Sequence, residues 1–133
     1  VKVKWVGLAV LFSRVDLMPT DVVVCNGCCC GNTDKGHPEV PVKLLNDEWE
    51  NYGLNNSVKL RISKCLGPCS MHNVSLLRTD YGTTWIGNLS EDIHYKALVD
   101  WALQVSEKGP DIEIPEILIP HIFERFDKVV IRD

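Results

Sequence analysis

The chain has 133 residues, the size of one domain, so we do not expect a two-domain enzyme with its own cofactor fold. Its 45% apolar and 24% charged residues, with a mean hydropathy of −0.02, are typical of a globular core and exclude wholesale disorder. The balance of 14 basic against 18 acidic residues gives a net charge of −4, so we expect no nucleic-acid partner.

The first segment, residues 1–20, is interpreted as an N-terminal extension outside the core, and an extra edge strand packed on the core is the competing interpretation. The apolar run Trp5–Phe12 is far shorter than a membrane span, and no small-residue cleavage site follows it. We therefore expect no secretion, no membrane partner and a cytoplasmic location. In that compartment, cysteines serve as ligands or redox thiols more often than as structural disulfides.

A strand, a helix and a second strand are predicted next. The continuous apolar run Val22–Val24 is typical of a strand buried on both faces, and the Gly- and Pro-rich residues 26–41 form a loop. A helix begins near Pro41 and ends at Gly53. Its apolar stripe comprises Val42, Leu45, Trp49 and Tyr52. Residues 58–63 alternate apolar and polar, which predicts a strand with one buried face.

A hairpin and a second helix follow. Val74–Leu77 and Thr83–Ile86 are predicted strands around a turn at 79–82. Ser90 is the predicted N-cap of a helix that stops at Gly109. Its apolar stripe comprises Ile93, Ala97, Leu98, Trp101 and Val105. We expect the tryptophans on these stripes, Trp49, Trp85 and Trp101, to be core residues.

The predicted fold class is therefore α/β, with a βαβ crossover, a β-hairpin and a helix forming a mixed sheet with helices packed on it. The domain is expected over residues 21–108. Residues 109–133 are predicted to be an acidic C-terminal tail laid over the core, with a short helix around His121–Phe126.

Six cysteines stand out, in two groups: Cys25, Cys28, Cys29 and Cys30, and then Cys65 and Cys69. Each group lies where a predicted strand runs into a glycine-containing loop. Two such loops leaving the same end of a sheet would bring thiolates together, as a four-Cys metal centre requires. Gly27, Gly31 and Gly67 would let the backbone approach closely.

Other interpretations remain open at this point. Structural zinc or a cobalt-handling site would also use clustered cysteines, and Cys25 with Cys28 has the spacing of a redox dithiol. His37 could ligate iron as in a Rieske centre, whereas His72 is interpreted as a loop residue near the site. The sequence carries no paired catalytic carboxylates, nucleophile with a base, or phosphate loop, so we expect an electron-transfer protein rather than an enzyme.

The pattern Cys-x4-Cys, a long gap and Cys-Leu-Gly-x-Cys resembles the thioredoxin-like 2Fe-2S ferredoxins, which include the small iron-sulfur subunit of respiratory complex I. The resemblance covers about Val22–Val105. The likeness is closer to stand-alone bacterial ferredoxins associated with cobalamin biosynthesis, through Val24–Gly31, Gly36–Pro41 and Cys65–Cys69, and also through the region from Trp85-Ile-Gly87 to Trp101.

The resemblance implies a thioredoxin-like fold and a one-electron carrier whose 2Fe-2S cluster is held by Cys25, Cys30, Cys65 and Cys69. The surplus pair, Cys28 and Cys29, departs from the wider family, and either could replace Cys30 as a ligand. Lys64 and Lys35 are the candidate cations near the cluster. The resemblance implies that the partners are redox proteins and that the carrier serves cobalt or corrin chemistry. A homodimer is a further expectation.

Overall fold

The protein's structure is a computed structural model that describes residues 20–27, 30–64 and 72–124. In these ranges it is an α/β fold built on a five-stranded mixed sheet of order β2-β1-β3-β4-β5. The strands are β1 (Asp21–Cys25), β2 (Lys59–Ser63), β3 (Ser75–Thr79), β4 (Gly82–Ile86) and β5 (Ile122–Phe123). The α-helices are α1 (Val42–Asn51) and α2 (Asp92–Lys108), and short 3-10 helices occupy Thr33–Lys35, Leu54–Asn56 and Glu116–His121.

The parallel half of the sheet is the predicted βαβ unit. All five residues of β1 are buried, and β1 runs parallel to β2 with Cys25 opposite Ser63. The crossover helix α1 is tied to the start of β2 because Trp49 Nε1 donates a hydrogen bond to Val58 O at 2.7 Å. Gly53 follows the helix in the left-handed conformation (φ 60°), as the predicted helix stop requires.

The antiparallel half is the predicted hairpin. Strand β3 pairs with β1 on one side and with β4 on the other, and β3 and β4 are joined by a tight turn at residues 80–81. One sheet face packs with the helices through Val22 and Val24, and the other carries Val23 and Trp85. The expected core tryptophans, Trp49, Trp85 and Trp101, are all at most 4% exposed, which confirms that prediction.

The N-terminus of α2 differs from the prediction. Glu91, and not Ser90, is the N-cap, because His94 Nδ1 accepts hydrogen bonds from the Ser90 and Glu91 N–H groups at 3.1 and 3.2 Å. The imidazole thus takes the part that Glu or Gln plays in a capping box. Because the buried side of the helix runs through Tyr95 and Leu98, Ile93 lies 52% exposed and is not part of the core stripe.

The segment after α2 also departs from expectation. A short helix is predicted around His121–Phe126, but Ile122–Phe123 form β5, which pairs antiparallel with β4. His121 is the last residue of the preceding 3-10 helix, and residues 125–126 lie outside the described residues. The pairing begins beside Gly87, whose N–H donates to His121 O at 2.9 Å while His121 Nδ1 bonds Gly87 O. Leu118 is fully buried in the main core. These contacts make residues 112–123 part of the packed unit.

The N-terminal extension proposed for residues 1–20 lies outside the described residues, except for Thr20, whose carbonyl accepts from Lys59 N–H at 3.0 Å. Residues 125–133 of the tail are likewise outside them. None of the helices in the described ranges has the length and apolar character that crossing a membrane would need.

A buried ion pair fastens the start of β1 to the end of β3. Arg78 donates from Nε and Nη2 to the two Asp21 carboxylate oxygens at 2.7 and 2.6 Å, and the Asp21 side chain is 2% exposed. Arg78→Met should lower the free energy of unfolding by about 3 kcal/mol, because it leaves a buried carboxylate with only the 3.9 Å contact to Arg61. Urea denaturation measures the change.

The control is Lys43→Met, which removes the exposed Lys43–Asp47 pair on α1, where the Lys43 side chain is 89% exposed. This pair is screened by water, so the midpoint should hardly move. If both variants lost the same free energy of unfolding, the conclusion that the buried Asp21–Arg78 pair stabilises the fold more than the exposed pair would be wrong.

The histidine cap predicts a pH-dependent stability. Burial and the neighbouring His121 ring lower the pKa of His94 below its ordinary 6.5, against the opposing charge of Glu91. The unfolded chain therefore binds this proton near pH 6.5 while the folded protein resists it, so stability should fall as the pH drops below about 6.5. His94→Gln keeps an acceptor for the cap and removes the titration. Its urea midpoint should fall less than that of the parent between pH 7.5 and 5.5, and parallel falls would contradict the assignment.

Candidate functional site

The first cysteine loop, residues 26–30, begins at the end of β1, which lies between β2 and β3 in the sheet. The N–H of Cys25, the last residue of β1, donates to Val74 O at 2.9 Å, and the N–H of Asn26 donates to Ser63 O at 2.7 Å. The end of β1 is therefore fixed by backbone bonds to the end of β2 and to the start of the hairpin. Cys25 is 2% exposed.

The loop then turns back so that its last cysteine meets its first. Gly27 and Cys30 exchange two backbone hydrogen bonds of 2.9 Å, one in each direction. The sulfurs of Cys25 and Cys30 are joined in a disulfide, with the Cα atoms 5.8 Å apart, and Cys30 is 6% exposed. The predicted ligands Cys25 and Cys30 are thus brought together, whereas Cys28 and Cys29 lie outside the described residues.

The second cysteine group, Cys65 and Cys69, also lies outside the described residues, which stop at Lys64 and resume at His72. Lys64 immediately precedes Cys65, and its carbonyl oxygen lies 3.5 Å from the Cys25 sulfur. Because Cys25 carries no proton in the disulfide, this is a contact rather than a hydrogen bond. The residue that precedes the second cysteine group, Lys64, therefore contacts the first group.

Two glycines permit the close approach, as predicted. Gly27 has φ 146°, and a Cβ added to it would lie 3.0 Å from Lys64 O. Gly31 has φ 68°, and a Cβ there would lie 2.9 Å from Asn26 Oδ1 and 3.0 Å from a Val40 methyl. Any larger residue would push the loop away from β2 or from its own far end. The third predicted glycine, Gly67, is outside the described residues.

The buried residue Asn73 holds the loop through hydrogen bonds of its side-chain amide. This residue is 1% exposed and adopts φ 53°, a conformation that asparagine tolerates better than most residues. Its Oδ1 accepts from Gly31 N–H at 2.6 Å, and its Nδ2 donates to Pro38 O at 2.8 Å and to Leu89 O at 3.0 Å. One buried amide therefore ties two points of the loop 26–41, Gly31 and Pro38, to Leu89 in the segment before α2.

Two histidines stack beside the loops. The rings of His37 and His72 lie 4.0 Å apart and within 5° of parallel. The two rings therefore contact each other face to face, and ligation of iron by His37 stays a prediction. Burial, followed by the neighbouring His37 ring, lowers the pKa of His72 below its ordinary value. His72 contacts the first loop, as its interpretation as a residue near the site requires.

Sequence reasoning missed Asn73 and the His37–His72 contact. The only local signal for Asn73 is an asparagine at a loop end, where a positive φ is common for this residue type. The contact between the two histidines joins residues that are far apart in sequence, so no local pattern encodes it. Of the candidate cations, Lys64 adjoins Cys25 through its backbone, and Lys35 is an exposed residue at the end of the 3-10 helix in the first loop.

Within the part of the chain that the structure describes, no three His, Cys, Asp or Glu side chains converge as a metal-binding group. Two of the four proposed ligands lie outside that part. Comparisons of the chain with protein-family models, with curated proteins and with solved structures find no match.

The crowding at Gly27 gives a prediction with a matched control in the same chain. Gly82 has a similar φ of 134° but open space where a Cβ would point, whereas Gly27 faces Lys64 O. Gly82→Ala should cost only backbone strain, about 1–3 kcal/mol. Gly27→Ala should cost about 1–3 kcal/mol more, because it also forces the first loop away from β2. Urea unfolding measures both, and equal losses would contradict the close approach at Gly27.

Proposed function

We propose that this chain is a one-electron carrier that holds a 2Fe-2S cluster through Cys25, Cys30, Cys65 and Cys69. The observation that carries the proposal is the meeting of the Cys25 and Cys30 sulfurs in a buried loop, with Lys64, the residue before Cys65, 3.5 Å from the Cys25 sulfur. A set of four cysteine sulfurs supplies the soft ligands that iron-sulfur clusters use.

The order of elements supports a thioredoxin-like domain for this site. The chain runs strand, helix, strand, hairpin and helix, with β1 and β2 parallel and β3 antiparallel to β1. The resemblance to thioredoxin-like ferredoxins includes this order of elements beside the cysteine motif. The same arrangement puts the end of β1 and the end of β2 at one edge of the sheet, which is where the proposed ligand loops begin.

Each residue around the sulfurs has a definite task in this proposal. Burial of Cys25 and Cys30 excludes bulk water, and Gly27 lets the loop lie against Lys64. Asn73 holds the loop in one conformation, so the ligand sulfurs need not be ordered when they bind. When bound, the cluster supplies a one-electron couple whose potential responds to hydrogen bonds, burial and nearby charge.

The proposal extends to the setting of the protein. The resemblance supports redox partner proteins, a cytoplasmic location and service to cobalt or corrin chemistry. The chain would perform no bond chemistry of its own. Tyr52 and Tyr81 are 56% and 76% exposed, and such aromatic side chains offer contact area to a second copy or to a redox partner.

A thiol-disulfide redox function is the second candidate, and the Cys25–Cys30 disulfide is the observation that favours it. The pair differs from the Cys25–Cys28 dithiol suggested by spacing. It also lies in a loop closed by the Gly27–Cys30 bridge and not at the start of a helix, where redox dithiols gain a lowered thiol pKa. Burial of both sulfurs makes exchange with large protein substrates difficult.

The deciding experiment is anaerobic purification of the full chain under a dithiol reductant. The first function predicts brown protein with about two irons and two sulfides per chain. It also predicts an absorption spectrum that bleaches with dithionite and a one-electron paramagnetic signal in the reduced state. Colourless protein with one zinc per chain would replace the proposal with a structural zinc site. Colourless protein without metal that reduces disulfide substrates would replace it with the second candidate.

Serine variants test the ligand set. Replacing Cys25, Cys30, Cys65 or Cys69 by Ser one at a time should lower the bound iron and shift the visible spectrum, because an alkoxide oxygen is a harder ligand than a thiolate. Cys28→Ser and Cys29→Ser are the matched comparisons from the same loop and should retain the iron. If Cys30→Ser keeps the spectrum while Cys29→Ser loses it, Cys29 is the ligand and the assignment of Cys30 is wrong.

A further inference from the structure

The Cys25–Cys30 pair has two mutually exclusive uses. As ligands, both sulfurs must be thiolates, but in the structure they are bonded to each other. We propose that the cluster-free chain stores this ligand pair as a reversible disulfide, which a dithiol reductant must open before the cluster can be loaded. This inference rests on the proposed function and adds the regulation of the same site.

The backbone of the loop holds Cys25 and Cys30 at a separation that suits a disulfide. The end of β1 is held by the bond from Asn26 N–H to Ser63 O, and the reciprocal Gly27–Cys30 bonds return the chain to Cys25. A Cα separation of 5.8 Å lies in the range of ordinary disulfides, so closure requires no displacement of the strand. Asn73 fixes the next residue, Gly31, from a buried position. The two sulfurs therefore face each other at a high effective concentration.

Oxidation and reduction are balanced by a two-electron exchange. With glutathione disulfide as the oxidant, the Cys25 and Cys30 thiols form one S–S bond, the oxidant's S–S bond breaks, and two glutathione thiols leave with the two protons. In the reverse direction, one thiolate of a dithiol attacks one sulfur of the pair, so that a mixed disulfide forms, the Cys25–Cys30 bond breaks and the other cysteine leaves as a thiolate. The second thiol of the reductant then attacks the mixed disulfide, which releases the remaining cysteine and leaves the reductant as a cyclic disulfide.

The same geometry selects the class of reductant. In a mixed disulfide with a monothiol, the freed cysteine remains beside its partner and re-forms the original bond faster than a second monothiol can arrive. A dithiol resolves the intermediate from within its own molecule and competes with that closure. Burial of both sulfurs further favours a reductant that needs only one encounter. We therefore expect a small dithiol, such as dithiothreitol, to be the effective reductant.

The experiment uses the metal-free full chain carrying Cys28→Ser and Cys29→Ser. Cleavage after Lys and Arg places residues 15–35 on one peptide, and in this variant Cys25 and Cys30 are its only thiols. The chain is oxidised with glutathione disulfide, treated with dithiothreitol or with reduced glutathione at equal thiol concentration, and alkylated with N-ethylmaleimide. Ferrous iron and sulfide are then offered to a parallel, unalkylated sample. The unsubstituted chain, mapped by peptide fragmentation, provides a second measurement if the variant does not fold.

The expected result is a peptide with no alkyl group after oxidation and two after dithiothreitol, which should open the bond at least about tenfold faster than reduced glutathione. Iron and sulfide should enter only the opened chain. Two alkyl groups after oxidation, or equal opening by both reductants, would each overturn the inference while leaving the proposed function intact. Loading of a chain whose Cys25–Cys30 bond stays closed would overturn both the inference and the ligand set, because those sulfurs could not then be thiolate ligands. An opened chain that binds neither iron nor sulfide would overturn the proposed function, and the loading step with it.

Discussion

The parallel pairing of β1 with β2 is the constraint on which the site depends. Parallel strands end at the same edge of a sheet, so the register that sets Cys25 opposite Ser63 brings Lys64, the residue before Cys65, beside the end of β1. The crossover helix α1 is required by this pairing and is secured by the Trp49 bond to Val58. The glycine at position 27 then lets the first loop lie directly against Lys64.

The two ends of β1 are held by different interactions, a buried ion pair at the start and hydrogen bonds from a neutral amide beyond the end. At the start, the buried Asp21 carboxylate is neutralised by Arg78 from β3, which fixes the antiparallel partner in register. At the other end, Asn73 holds the first loop through backbone partners only, so it adds no charge beside the sulfurs. A neutral anchor leaves the electrostatics there to the sulfurs and to nearby charged groups.

The histidines show the same use of neutral polar groups. His94 caps α2 as a hydrogen-bond acceptor, and its ring meets the His121 ring at 4.4 Å, which joins the helix to the segment leading into β5. His37, in the loop 26–41, stacks on His72, which lies shortly before the first strand of the hairpin, β3. Burial lowers the pKa of His94 and of His72, so both rings are neutral near pH 7 and cost little to enclose. Each pair links segments that backbone hydrogen bonds alone would leave apart.

The sequence by itself determined the elements from β1 to α2, because apolar periodicity, glycine stops and the hairpin turn are local signals. It also marked Gly27 and Gly31 and separated the six cysteines into two loop groups. Only the tertiary structure decided that Ile122–Phe123 form a strand, since pairing with β4 outweighs local preference. It likewise decided that Ile93 faces solvent, that Asn73 anchors the loop and that the Cys25 and Cys30 sulfurs meet. These outcomes depend on contacts between distant residues, which no window of sequence contains.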